Sequence, residues 1–175
     1  KTAVNYFSPF EKLLWLSSAV LIVISFCIFD RGCISTPIAS LIGVTSLIFS
    51  AKGNPIGQLL MIIFSVFYGI ISLGCAYYGE VATYLGMTAP MALFALISWL
   101  KNPFKGRRSE VKVGSISRKE VVFMLLLSAV VTAVFYFILD AFGTANMLPS
   151  TLSVTTSFIA VYLTFRRNPF FALAY

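Results

Sequence analysis

Between Pro55 and Tyr78, four side chains able to make directed contacts recur at helical spacing: Gln58, Ser65, Tyr68 and Ser72. An amide, two hydroxyls and a phenol can donate and accept hydrogen bonds and can offer a ring face. Tyr84 and Trp99 add a second phenol and an indole on the following segment. These groups can hold a solute, but they do not form a nucleophile-base pair. The chain has no histidine, no paired aspartates, no HExxH and no GxxxxGK[ST] loop. Imidazole chemistry, His-ligated metal and nucleotide hydrolysis are thereby excluded, and no catalytic residue, metal or cofactor is expected. Cys27, Cys33 and Cys75 form no CxxC pair, and Cys27 and Cys75 read as small apolar helix residues.

The stretch carrying the stripe has no charge from Pro55 to Tyr78, so a helix there lacks a polar face. It needs lipid or a fully buried core as its solvent. The whole chain agrees: of 175 residues, 59% are hydrophobic and 11% charged. The expected class is an all-α, polytopic membrane helix bundle, and the recurrence of apolar runs to the end rules out a lone signal peptide. The first residue is Lys, so a trimmed or processed chain is expected.

Six segments emerge. A lead and first span occupy residues 1–30, and Leu13 to Phe29 is its apolar part. The second starts at Thr36-Pro37 and is rich in Ser, Thr and Gly, with Ala39 and Gly43 spaced for close helix approach. Asn54 reads as a helix-end cap for the third. The fourth, Val81 to Leu100, has Pro90 at its middle, which predicts a kink facing the bundle interior. After a basic loop at 101–119 comes a plain span at 120–142 and a hydroxyl-rich one from Leu148 to Phe165. With Lys1 on the cytoplasmic side, all 13 Lys and Arg residues except Arg31 fall inside. That asymmetry sets six crossings with a cytoplasmic N-terminus, so the net charge of +7 signals orientation rather than nucleic acid. An inner, or plasma, membrane location follows. The acidic residues Glu11, Asp30, Glu80, Glu110, Glu120 and Asp140 all read as lying at or beyond span ends.

A shift of 114 residues aligns Ser46–Pro55 (SLIFSAKGNP) with Ala160–Pro169 (AVYLTFRRNP). This hints at a parallel repeat three helices long, with the 120–142 segment as linker. A helix ending in AKGN, then PIGQLLMIIFSVFYGIISLGCAYYGE, then a helix closing on ISWLKNP resembles the PnuC-type vitamin transporters, typified by nicotinamide riboside uptake and related in architecture to SWEET and SemiSWEET proteins. The resemblance covers Ile38 to Lys101 and, more weakly, the sixth segment. It implies a first three-helix repeat at 36–100, a linker, and a second repeat starting at 148 that would need two more helices. An additional helix stands at the front, so eight spans are expected in the full-length protein. Family members often carry tryptophans where Pro55-Ile56 stand, so ring stacking here must come from other residues.

A nucleoside-like vitamin needs amide and hydroxyl partners for its sugar and an aromatic face for its ring. Gln58, Tyr68, Tyr84 and Trp99 are the substrate-binding candidates on that ground, each with packing between helices as the bland alternative. The resemblance implies facilitated diffusion with a cytoplasmic kinase trapping the product. A homo-oligomer, a sugar, thiamine or riboflavin carrier, and a non-transporting membrane assembly subunit all stay open at this point.

Overall fold

Asn54 stands between two helices and caps the second. Its side-chain oxygen accepts the Ile56 amide at 3.0 Å, and Pro55 fills the first helical position, where a missing N–H costs nothing. Six helices were found in the computed structural model, which describes residues 6–29, 34–75, 77–143 and 147–171. They are α1 (Pro9–Phe29), α2 (Ser35–Ala51), α3 (Pro55–Gly74), α4 (Tyr78–Lys101), α5 (Arg118–Ala141) and α6 (Met147–Phe165). Asp30, Arg31 and Cys33 lie outside the described residues. α1, α3, α4 and α5 are long and apolar enough to cross a membrane, while the apolar parts of α2 and α6 are shorter. The outer faces are apolar too: Phe137 is 70% and Leu126 64% exposed, a surface that only lipid or another protein tolerates. The expected polytopic helical bundle is present.

Two departures from the sequence reading are local. The basic loop carries a small antiparallel hairpin, β1 (Pro103–Phe104) with β2 (Arg107–Val111), in place of plain loop. The second lies just ahead of Pro90, where α4 takes a π-helical segment, Ala82–Thr88, and the Thr88 hydroxyl donates to the Thr83 carbonyl at 3.2 Å.

The helices pack in the order α1, α2, α3, α4, α6, α5 across the bundle. The α2–α3 crossing is the most extensive: Ser46 Oγ donates to the Gly57 carbonyl at 2.7 Å, and Gln58 Nε2 donates to Ser50 Oγ at 3.1 Å. Ala39 is fully buried, and Gly43 sits under the Phe64 ring, as small residues at a close crossing should. On the other side Trp99 Nε1 donates to the Thr164 carbonyl at 2.8 Å and Ser98 Oγ to the Phe165 carbonyl at 3.0 Å, tying α4 to α6. Met87, Met124, Leu139, Val154 and Phe158 form a core where α4, α5 and α6 meet.

The same local geometry is built twice. Gly53 and Arg167 both take left-handed backbone, at φ 67° and 60°, and the Phe170 amide reaches Asn168 Oδ1 at 3.0 Å. The helices ahead of these turns begin alike. Ser8 and Ser117 cap α1 and α5 by accepting the amides of Glu11 and Glu120, and those glutamates pair with Lys52 and Arg166 of the two turns. The end of β2 and the chain just after it join both turns: the Val111 amide donates to the Gly53 carbonyl at 2.9 Å and the Gly114 amide to the Arg167 carbonyl at 3.0 Å.

Candidate functional site

The end of the bundle opposite these turns is hollow. A cavity of about 1030 Å³ runs from Met61 in α3 to the Tyr77–Glu80 turn, between α2, α3 and α4 on one side and α6 with the end of α5 on the other. That is at the upper end of the usual range for small-molecule sites. Tyr68 and Tyr84 meet in it with ring centroids 4.7 Å apart and planes inclined at 55°. Phe64 closes the group edge-on to Tyr84 at 5.7 Å. The π segment has a purpose here, because its wider turn brings Thr83, Tyr84 and Thr88 all to the cavity wall.

Facing this aromatic wall, α6 presents Ser150, Ser153 and Ser157 at helical spacing. Among the described residues no side-chain hydrogen bond engages these three hydroxyls, whereas Ser40, Thr83 and Thr88 on the near wall bond to carbonyls of their own helices. One wall therefore offers ring faces and the other offers hydroxyls free to bond a solute. Such a pair of walls suits a flat ring joined to a polyhydroxyl group.

Of the four side chains proposed from the sequence, the structure brings Tyr68 and Tyr84 together in this cavity and leaves Gln58 and Trp99 out of it. Gln58 is 3% exposed, at the α2–α3 crossing, its amide engaged by Ser50. Trp99 is 2% exposed and holds α4 to α6. The remaining members of the polar stripe are spent within the protein, Ser65 on the Met61 carbonyl at 2.8 Å and Ser72 on Glu80 at 2.9 Å.

Sequence reasoning missed two parts of the site. The serines of α6 were visible as a hydroxyl-rich segment, and their i, i+3, i+7 spacing was the signal that they share a face. Glu80, read as lying at a span end, does stand exposed in the turn that opens α4, but it also lines the rim of the cavity and accepts the Ser72 hydroxyl. Among the described residues no group of three or more His, Cys, Asp or Glu side chains could hold a metal ion.

A second, shallower hollow of about 560 Å³ lies on the outside, between α5 and α6. Its wall is mainly apolar, apart from a Thr132–Thr155 hydrogen bond of 2.8 Å and the unpartnered hydroxyls of Ser128 and Thr151. It lacks the ring cluster of the larger cavity.

No curated protein matches this sequence. The chain is similar in fold to the crystal structure of the vitamin B3 transporter PnuC, with a TM-score of 0.78 and 22% sequence identity, over 96% of this chain and 72% of that one. The sequence model of the nicotinamide mononucleotide transporters matches residues 34–174, most of the bundle and every element that lines the cavity. The chain thus belongs to the nicotinamide mononucleotide transporter family, the PnuC-type membrane transporters whose resemblance its central helices carry.

Proposed function

We propose that this protein carries a nucleoside-like B vitamin, nicotinamide riboside above all, across the inner (plasma) membrane by facilitated diffusion. The observation that carries this reading is the cavity, with Tyr68, Tyr84 and Phe64 on one wall and the unengaged serines of α6 on the other. The ring of the vitamin stacks on the tyrosines, and its ribose bonds to Ser150, Ser153 and Ser157. Without a histidine in the chain, no imidazole relay is available to couple movement to protons. In this reading transport runs downhill, and phosphorylation by a cytoplasmic kinase keeps the substrate inside. The charge asymmetry along the sequence supports a cytoplasmic N-terminus, with the Asn54-Pro55 and Asn168-Pro169 turns on the inner side.

Residues 36–100 form the first three-helix repeat in this reading, residues 120–142 the linker, and residues from 148 onward the start of the second. The twin turns and twin helix caps support that division. They also give α1 the same place beside α2 that α5 has beside α6.

Counterflow of labelled nicotinamide riboside in proteoliposomes tests the reading, with thiamine, riboflavin and glucose as competitors. The riboside alone should exchange, and Tyr84→Ala should weaken its binding roughly 2- to 10-fold, the worth of one aromatic contact. Exchange of another vitamin in its place would overturn the substrate assignment. Absence of exchange for all of them would overturn the transport reading.

A further inference from the structure

Glu80 is the one formally charged side chain on the cavity wall among the described residues. It belongs to the short helical turn that opens α4, and Ser72 Oγ on α3 donates to its Oε2 at 2.9 Å. Ser72 is itself buried, at 2% exposed, so the carboxylate is held from a fixed point. That bond takes up part of its capacity, since a carboxylate has about four lone-pair sites. The same cavity contains the Tyr68 and Tyr84 rings, whose faces carry partial negative charge. Among the described residues neither Lys nor Arg lines it. Glu80 is exposed at the rim of the cavity, and a carboxylate there with two phenol faces below it, and no cation among the described lining residues, favours a positively charged solute.

We propose that Glu80 is the specificity-determining residue of this carrier, pairing with a fixed positive charge on the ring of its substrate. This deepens the reading given above and rests on it. The ligand class becomes a ribosylated pyridinium, in which a flat aromatic cation sits over the tyrosines within reach of the carboxylate.

The test compares two ligands of nearly equal size, nicotinamide riboside with its cationic pyridinium ring and dihydronicotinamide riboside with a neutral ring, binding to the purified protein by calorimetry. The unaltered protein should bind the cation more tightly. Glu80→Gln, which keeps an acceptor for Ser72, should weaken cation binding about tenfold, as expected for one charge-assisted contact, and leave the neutral riboside within about twofold. Ser72→Ala keeps the charge and should keep the discrimination. Equal affinity of the unaltered protein for both ribosides overturns the proposal while sparing the vitamin-carrier reading. An equal loss for both in Glu80→Gln, or no loss for either, also overturns it. If the unaltered protein binds neither riboside, the carrier reading falls first and the proposal with it.

Discussion

Asn54 and Asn168 hold the same post in two different turns: each side-chain oxygen accepts the amide two residues further on, at 3.0 Å in both. The bond caps the turn that begins at the Asn-Pro step. Replacing either by alanine removes the cap and should cost about 1 kcal/mol of stability, read as a lower midpoint in thermal unfolding in detergent. Asn54→Ala should cost more than Asn168→Ala, because Asn54 Nδ2 also donates to the Tyr6 hydroxyl at 3.2 Å. Asn54→Asp keeps the acceptor and should recover most of the loss that stems from the cap.

A methyl group at position 57 has nowhere to go. A Cβ there would meet the Ser50 side chain and lie 2.5 Å from the Ser50 amide nitrogen and 2.8 Å from the Ser46 carbonyl oxygen. Gly57→Ala should therefore force α2 and α3 apart and destabilise the protein by about 1–3 kcal/mol. The control is Gly86→Ala in α4, where an added Cβ meets nothing within 4 Å and no comparable loss is expected. Equal unfolding midpoints for the two variants would refute the tight-crossing account.

Trp99→Phe keeps a large ring and deletes the indole bond to Thr164. That carbonyl keeps the Arg167 amide as a donor at 3.0 Å, so losing the indole bond should cost about 0.5–1.5 kcal/mol, with riboside affinity changed less than twofold. Gln58→Ala should behave the same way, since its amide serves Ser50 at the α2–α3 crossing. Tyr84→Ala should show the opposite pattern, weaker binding with a smaller loss of stability, since its ring faces a cavity rather than a packed crossing. Paired calorimetry and thermal unfolding on the three variants separate the two roles.

The contrast between these residues shows what the sequence could and could not convey. Helical spacing identifies a face, and the stripe from Gln58 to Ser72 does face the bundle: Gln58, Ser65 and Ser72 are all buried. Spacing says nothing about depth. Gln58 and Tyr68 are ten residues apart, about 15 Å along the axis at the standard helical rise, and the cavity occupies one end of the bundle. Trp99 is displaced from Tyr84 by a still longer run in the same sense. The long apolar runs, the Asn54 cap and the close approach at Ala39 and Gly43 were legible because each follows from local chemistry. The part Glu80 plays was not, because an acid after Tyr-Tyr-Gly marks only a span end until the folded turn is seen to set its carboxylate on Ser72. The role of the α6 serines likewise depends on which helix they face, a matter of packing across more than 60 positions of sequence.

The stretch from the end of β2 to Gly114 holds the carbonyls of Gly53 and Arg167 through the amides of Val111 and Gly114. Three residues of fully extended chain reach about 10 Å, so those two turns are on a short leash. Because the grip uses main-chain atoms, the neighbouring lysines and arginines can be exchanged without loosening it. While both bonds last, the helix ends bearing Asn54 and Asn168 cannot part at this end of the bundle. Any widening there must first unfasten one of them, and the conformation seen here is the fastened one.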